Sequence, residues 1–460
     1  MAASKPDEVA PARYPRRPML LRLHGGLRWD RLYRASSYLK SALWTVPFVA
    51  IALDLAMTPA LHALDAWLQW RPRGLEAAGA NALFETVVTL ALSFLVFTFG
   101  SLLVAIQVAG GQLTSRIIAT VLLRNNVVRY SVGLFVFTLV FAVGALNRQA
   151  SQVHELVALV TALLGIACIA DFLFLIDYAA RLLRPVNVLA AVAEQGIVVI
   201  GSVYPQTVAE TPARGTPAGL RDWPGDRRKV AHEGTSSILL AADVETLVGL
   251  ARQHRGMIEV VPQIGDFVAV DDPLFVLHGG TTALDDAQLR AAVAFGPERT
   301  MEHDAMFAFR IIVDIGLKAL SPAINDPTTA VLSLDQLHRL LRFVGKHKLR
   351  GDVLFDAEDV PRVVFRTPNW EEFVQLACSE IRTCGANNIQ VARRMRAMLE
   401  NLRASLPMHR RPALSMELEL LDWSVQRSFA RPEELALARI PDSQGLGGSS
   451  PDAELAADMP

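Results

Sequence analysis

Residues 82–109 read ALFETVVTLALSFLVFTFGSLLVAIQVA, and this run decides the class of fold. It contains one charged side chain, Glu85, near its start. An apolar stretch of about 20 residues is long enough to cross a lipid bilayer. Lipid offers the backbone no hydrogen-bond partner, so a stretch of this kind must be helical. The run therefore predicts a transmembrane helix.

Three further apolar runs lie on either side of this one, at about 40–61, 127–146 and 153–182. Together the four runs predict an N-terminal four-helix transmembrane bundle over residues 37–184. Only 20% of the residues are charged, which agrees with a membrane protein. The formal net charge of −1 gives no general attraction to nucleic acid, so we expect none as a partner.

The distribution of arginine predicts the orientation of these helices. Residues 1–36 form a basic arm, the loop at 110–126 carries two arginines, and Arg181 and Arg184 follow the last run. Lys and Arg accumulate in cytoplasmic loops, so both termini are expected to be cytoplasmic, in a bacterial inner membrane. The apolar residues of the loop at 110–126 recur at helical spacing, which predicts an amphipathic helix on the membrane surface or against a neighbour.

After the last run the sequence becomes typical of a cytosolic α+β domain, over residues 185–430. The beginning of this region, 185–201, fits either a helix or a strand. Residues 205–235 are rich in Pro, Gly and charge, which predicts a linker. Residues 431–460 have too little apolar content to fold, so they are predicted to be a disordered tail.

A small β-barrel-like unit is predicted from Ser236 onward, followed by a helical C-terminal part. The turn at Gly265 and Asp266 is similar to those of biotinyl-type hairpin domains, but the lysine that those domains modify is absent. Only the barrel shape is therefore expected. The predicted strands cover 238–240, 258–261, 266–270, 274–277, 353–356 and 362–366, and the predicted helices cover 243–255, 387–405 and 414–429.

Two helices joined by a tight polar elbow are predicted in the middle of this domain. Pro297 and Pro322 bracket the first helix, because proline suits a first helical turn and cannot continue a helix. Asp326 is a natural N-cap for the second helix, and Pro327 is a natural first residue.

The elbow also carries a longer motif, Ala319-Leu320-Ser321-Pro322-x-x-Asn325-Asp326-Pro327-x-Thr329-Ala330, preceded by Glu298-Arg299-Thr300 and Asp304. With these motifs the chain resembles a bacterial family of predicted membrane proteins, domain of unknown function 2254, over roughly residues 20–430. The resemblance implies an N-terminal membrane region followed by a cytosolic region. It implies no particular activity.

Ionisable residues within the predicted membrane helices are the first candidates for function. They are Asp54, Glu85 and Asp171, and an acid inside a bilayer is costly unless it has a role. Glu85, Thr89 and Ser93 are four residues apart and share one helix face, which could line an ion or proton path. The alternative is that the acids are hydrated near the membrane boundary and that the hydroxyls bond to their own helix.

The elbow is the second candidate. Its oxygen-bearing side chains Ser321, Asn325, Asp326 and Thr329 could bind a hard cation, or the helix N-terminus could bind an anion. The same residues suit helix capping and turn formation, and this interpretation is favoured over a metal site. Arg299, Thr300 and Asp304 complete the set of candidate residues.

No catalytic motif supports an enzyme, because Gly-x-Ser-x-Gly, a P-loop and His-Glu-x-x-His are all missing. The three cysteines have no metal-site spacing, and no cofactor is expected. The favoured hypothesis is an oligomeric ion-conducting or transport-like protein with a cytosolic regulatory domain. The alternatives are a membrane-tethered ligand-binding or signalling module, and an unrecognised enzyme. The expected partners are the lipid bilayer, further copies of the chain, and a small ion or ligand.

Overall fold

A computed structural model of the chain divides it into two compact units. The helical bundle comprises Ser37–Val188, and the α/β unit comprises Leu189–Pro460 together with Met1–Ser36. The structure describes Trp29 and residues 45–68, 77–112, 126–148, 155–182, 184–208, 226–349 and 352–448. Residues 113–125 of the predicted amphipathic helix, nearly all of the basic arm, and residues 209–225 of the predicted linker fall outside these residues. The last part of the predicted linker is not a loop, because Arg227–Ala231 pair as a strand with residues 273–278.

Among the described residues, four helices form the bundle: α1 (Thr45–Leu68), α2 (Ala77–Gln112), α3 (Asn126–Arg148) and α4 (Glu155–Leu182). Helix α3 packs against the other three. A glycine permits a close contact of α3 with α1, since a Cβ at Gly133 would lie 2.5 Å from Val46 Cγ1. Another permits a close contact of α4 with α2, since a Cβ at Gly165 would lie 3.0 Å from Val87 Cγ2.

The predicted membrane helices can be compared with these bounds. Among the described residues, four helices are long and apolar enough to cross a membrane: α2, α3, α4 and α5 (Pro185–Val203). The first three correspond to predicted runs. The remaining predicted run, 40–61, overlaps α1, whose apolar part covers Thr45–Leu61. The bundle also turns large apolar side chains outward, such as Leu103 and Phe174.

The segment that fitted either a helix or a strand is α5, a helix whose apolar side is covered by protein. Leu189 and Ile200 are fully buried. A Cβ at Gly196 would lie 2.7 Å from Ala308 Cβ, and Glu194 accepts a hydrogen bond from Arg339 over 2.5 Å. Contact with the α/β unit therefore explains part of its hydropathy, while Val186 and Val198 remain exposed.

The strands form two open sheets rather than a closed barrel. One sheet has the order β1-β5-β3-β8-β7, and the other has the order β4-β2-β6. The prediction of a barrel-like unit was wrong because strand patterns specify local pairing but not closure. Here β4 has only two residues and cannot bridge the sheets. The strands are β1 (Arg227–Ala231), β2 (Ser237–Ala242), β3 (Gly256–Val260), β4 (Phe267–Val268), β5 (Pro273–Gly279), β6 (Val293–Gly296), β7 (Val353–Phe355) and β8 (Pro361–Phe365).

The side chains of both sheets share an apolar core with two short helices. Leu239, Leu247, Ile258 and Phe275 are fully buried in it. Trp29, which precedes the bundle in the sequence, packs beside a smaller cluster on the second sheet, made of Leu240, Ala241 and Ala294. The short helices are α6 (Val244–Gln253) and α7 (Asp286–Ala291).

The central helix pair begins later than predicted. Residues 297–304 are not helical, a turn covers 301–303, and α8 begins at Ala305. Asp304 determines this start, since its Oδ1 accepts from the N–H groups of Met306 and Phe307. The predicted stop near Leu320 and the predicted start at Pro327 are confirmed. The helices here are α8 (Ala305–Ala319), α9 (Pro327–Gly345), α10 (Trp370–Gly385), α11 (Ile389–Ser405) and α12 (Arg411–Ser428).

The prediction of a disordered tail from residue 431 was wrong for its first part. Helix α13 (Pro432–Ala438) and the segment up to residue 448 pack on the domain. The buried guanidinium of Arg393 donates to the carbonyls of Ile440 and Gly447, both over 3.0 Å. Asp442 is fully buried and accepts from three backbone N–H groups. Polar bonds hold this segment, so its low apolar content was misleading.

We expect Asp442→Ala to lower the stability of the full-length protein by about 2–3 kcal/mol, because hydrogen bonds to a charged group contribute about that much. The measurement is the thermal unfolding midpoint in detergent. Glu433→Ala, at an exposed position of α13, is the control and should unfold like the wild type. Equal midpoints for both variants would mean that Asp442 does not anchor the segment.

Candidate functional site

One carboxylate lies between two helices of the bundle, and its hydrogen bonds are incomplete. Ser131 on α3 donates through Oγ to Oδ1 of Asp171 on α4 over 3.1 Å. The other oxygen, Oδ2, is buried and has no hydrogen-bond partner in the described part of the chain. An ionised carboxylate can accept about four hydrogen bonds. Asp171 therefore has unused acceptor capacity inside the bundle.

The surroundings of this pair are apolar. Val128 and Phe135, one turn to either side of the serine on α3, are buried. Cys168 and Leu175 hold the corresponding positions around the aspartate on α4, and all four residues belong to one core cluster. The carboxylate is thus kept among groups that cannot solvate its charge.

Further polar side chains are buried along the same helices. Cys168 Sγ lies 3.3 Å from Thr138 Oγ1 on α3. Thr161, two turns before the cysteine, is fully buried and donates to the carbonyl of Val157 over 2.8 Å. Hydroxyl and thiol groups can both donate and accept hydrogen bonds. The interior of the bundle therefore contains polar groups at three successive levels.

The other predicted intramembrane residues are on different helices from Asp171. Glu85, Thr89 and Ser93 are on one exposed face of α2. The two hydroxyls donate to carbonyls of their own helix, over 2.8 and 2.7 Å. Asp54 on α1 is buried. The stripe on α2 thus faces outward from a single copy of the bundle.

In the elbow, the predicted residues bond mainly to one another and to the nearby backbone. Asp326 caps α9, with Oδ1 accepting from the N–H of Thr329 over 3.1 Å and Oδ2 from its hydroxyl over 2.5 Å. Ser321 donates to a carbonyl three residues earlier. Asn325 has a positive φ of 49°, which asparagine tolerates well, and Pro327 opens the helix. This pattern favours capping over ligand binding.

The motif before the elbow forms a different arrangement, which we call the Asp304 corner: Gly265, Arg299, Thr300 and Asp304. Asp304 is 5% exposed, and its Oδ2 lies 3.8 Å from Nη1 of Arg299. Gly265 has a φ of 93°, and a Cβ there would lie 2.6 Å from this oxygen, so only glycine fits. Asp304 Oδ2 and Thr300 Oγ1 are both buried without a hydrogen-bond partner in the part of the chain described.

Burial raises the pKa of Asp304 from 3.8 to about 6. The Arg299 guanidinium and two backbone N–H groups oppose this shift, whereas the nearby Asp266 carboxylate adds to it. The carboxyl group therefore changes charge close to neutral pH. Throughout the described ranges, no group of three or more His, Cys, Asp or Glu side chains is arranged to hold a metal ion.

Comparison with known proteins bears on this architecture. The profile of the family described as "Predicted membrane protein (DUF2254)" matches residues 40–401. The chain belongs to the DUF2254 family. The match covers the bundle, the Asp304 corner and the elbow, and it stops before α13.

Two mycobacterial proteins are similar to this DUF2254 chain. They are "Uncharacterized protein Rv1290c" of Mycobacterium tuberculosis H37Rv and "Uncharacterized protein Mb1321c" of Mycobacterium bovis. Each is 24% identical over 424 residues, which cover 87% of this chain and 79% of the relative. No solved structure matches. The family and its relatives thus identify a predicted membrane protein without naming a reaction or a solute.

Sequence reasoning selected Asp171, and also Arg299, Thr300 and Asp304, of this DUF2254 protein. It missed Ser131 and Thr138 beside Asp171 and the contact of Gly265 with Asp304. Ser131 and Thr138 are seven residues apart in an apolar run, a spacing that places both on one helix face. This signal was present and could have been used. Gly265 is far from Asp304 in the sequence, and no local pattern indicates that they are in contact.

The raised pKa of Asp304 predicts a pH dependence of stability. Between about pH 4 and about pH 6 the folded protein keeps a proton that the unfolded chain has released. Stability is therefore lost as the pH rises through this window, by up to about 3 kcal/mol for a shift of about two units. We expect Asp304→Asn, which cannot ionise, to flatten the fall of the thermal midpoint in this window.

The control for this prediction is Asp326→Asn, which changes another N-cap of the same residue type. It should leave the slope between the two pH values as in the wild type. A wild-type slope in Asp304→Asn would mean that another group is responsible for the pH dependence.

Proposed function

We propose that this protein conducts or transports an ion across the bilayer, along a route that passes Asp171. One observation carries the proposal: a buried carboxylate oxygen inside an apolar bundle, without a hydrogen-bond partner among the described residues. Ionisable groups within membrane helices are costly and mark ion or substrate pathways. A carboxylate retained for structure alone would be expected to have both oxygens bonded, as they are in Asp326.

The outward stripe on α2 supports an oligomer. Glu85, Thr89 and Ser93 would face lipid in a single copy, where the carboxylate of Glu85 would be poorly solvated. A second copy of the chain could cover this face, and Gly100 farther along α2 meets no other atom within 4 Å of a built Cβ, so a neighbouring helix could approach. We infer that the stripe lies at a contact between copies.

The α/β unit is proposed to be cytosolic and regulatory. Trp29, which precedes α1, packs beside the second sheet of this unit. The arm and the unit therefore lie on the same side of the membrane, and this requires an even number of crossings. Helices α1 to α4 supply four, so α5 does not cross. The arginine-rich arm argues that this shared side is the cytoplasm.

Topology can be measured with reporter fusions that are active on only one side of the membrane. We expect fusions before residue 1, within 113–125 and after residue 460 to report the cytoplasm. Fusions within 69–76 and 149–154 should report the outside. Opposite locations for the two termini would contradict the four-crossing arrangement.

Charge movement tests the ion route directly. The full-length protein is reconstituted in liposomes with mixed salts and an imposed ion gradient, and a voltage-sensitive dye reports net charge transfer. We expect Asp171→Asn to reduce the rate of charge transfer at least about tenfold. Loss of the carboxylate charge need raise the barrier to ion movement by only about 1.4 kcal/mol to give that factor.

The matched control is Asp177→Asn on the same helix, where the native carboxylate is exposed and paired with Arg181. It should move charge like the wild type. A wild-type rate in Asp171→Asn, or equal loss in both variants, would contradict a specific role for Asp171.

A second candidate function is a membrane-tethered sensing module without transport. The buried, unpartnered oxygens of Asp304 and Thr300 favour it, since they could report a change of protonation or a bound polar group. Absence of any charge movement in the wild type, together with a ligand-dependent thermal shift, would favour this candidate.

A further inference from the structure

We infer that the ion is the proton, and that Asp171 is the side chain that takes it up and releases it. This inference rests on the proposed function, because it names the ion that would use the route past Asp171. Three classes of ion can be compared against the groups that surround the carboxylate.

The surroundings of Asp171 provide too few oxygen ligands for a metal cation. Hard cations such as Ca²⁺ and Mg²⁺ require about six or more oxygen ligands. Among the described residues the carboxylate of Asp171 has one hydrogen-bond partner, the Ser131 hydroxyl, and Thr138 is bonded to Cys168 one helical turn away. No acidic, histidine or cysteine cluster of three or more is found in the described ranges to add ligands. A cation that lost its water here would not regain enough oxygens.

Anions are opposed by the charge of the carboxylate itself. The polar groups that the hydrogen bonds place around Asp171 are a hydroxyl, a thiol and a second hydroxyl, none of which carries positive charge at neutral pH. Arg129, two residues before Ser131 on α3, donates instead to the hydroxyl of Thr45 on α1. The remaining neighbours belong to an apolar cluster. An anion would therefore meet repulsion without a compensating cation from this cluster.

A proton needs only one free lone pair, and Asp171 Oδ2 has one. On uptake, the Oδ2 lone pair forms an O–H bond and the carboxylate becomes a neutral carboxylic acid. On release, this O–H bond breaks, its electron pair returns to Oδ2, and the proton leaves toward the opposite side of the membrane. When Asp171 is ionised, the Ser131 hydroxyl donates to Oδ1. This bond occupies Oδ1 and leaves Oδ2 as the oxygen that accepts the proton.

The carboxylate lies nearer the side proposed to be cytoplasmic, and further polar groups continue from it toward the other side. Ser131 is five residues after the start of α3, and Asp171 is 11 residues before the end of α4; both of these helix ends face the cytoplasm in the proposed topology. At about 1.5 Å per residue the two residues are about 8 and about 16 Å from those ends. Thr138, Cys168 and Thr161 continue the buried polar groups toward the opposite helix ends, which face the outside in the same topology. Each can accept and donate a hydrogen bond, as proton relay requires.

The test uses full-length protein in liposomes that contain a trapped pH-sensitive dye. A potassium gradient with valinomycin sets the driving potential, and parallel samples measure uptake of an alkali cation and of a halide. We expect wild-type liposomes to acidify and to exclude the other two ions. The Asp171→Asn variant should have a proton flux at least about tenfold lower than the wild type. The Asp171→Glu variant should retain part of the flux, because glutamate keeps a titratable carboxylate.

Asp177→Asn is again the control and should keep the wild-type proton flux. Proton flux at the wild-type rate in Asp171→Asn would overturn the inference. Alkali-cation or halide flux that exceeds proton flux and depends on Asp171 would also overturn it, while leaving the proposed ion route intact. Absence of flux for every ion in the wild type would remove the proposed function and this inference together.

Discussion

Hydrocarbon cannot solvate charge, and this constraint determines how the bundle must be understood. The helices α2 and α4 turn apolar side chains such as Leu103 and Phe174 outward, and they can do so at no cost only in contact with lipid or another apolar surface. In the interior the same constraint applies to Asp171. The chain supplies one donor, Ser131, and leaves the second oxygen without a partner in the described residues. A site of this kind is retained at an energetic cost, and the proposed proton exchange would give a reason for that cost.

The α/β unit provides an internal comparison among carboxylates. Asp326 and Asp304 both cap helices, but Asp326 uses both oxygens and Asp304 uses one. Burial against the Gly265 turn raises the pKa of Asp304 to about 6, although Arg299 is close enough to oppose the shift. Asp171 and Asp304 thus each keep one carboxylate oxygen without a hydrogen-bond partner among the described residues, and Asp304 changes charge at about pH 6. Asp326, with both oxygens bonded, belongs to the scaffold.

Local signals in the sequence predicted much of this fold. Apolar runs predicted α2, α3 and α4, and the capping pair Asp326 and Pro327 predicted the start of α9, because these features depend on neighbouring residues. Non-local contacts were not predictable in this way. Sheet closure, the contact of Gly265 with Asp304, and the attachment of the C-terminal segment through Arg393 all join distant parts of the chain. The helix expected from Pro297 began at Ala305 instead, since a side-chain cap outweighs a residue that is only compatible with a helix start.

The protonation state of Asp171 is the central claim, and infrared difference spectroscopy of the reconstituted protein measures it most directly. As the pH is lowered, the account predicts a carboxylic-acid C=O band in the wild type that is absent from Asp171→Asn and unchanged in Asp177→Asn. A spectrum of Asp171→Asn that retains every acid-dependent carboxyl band of the wild type would contradict it.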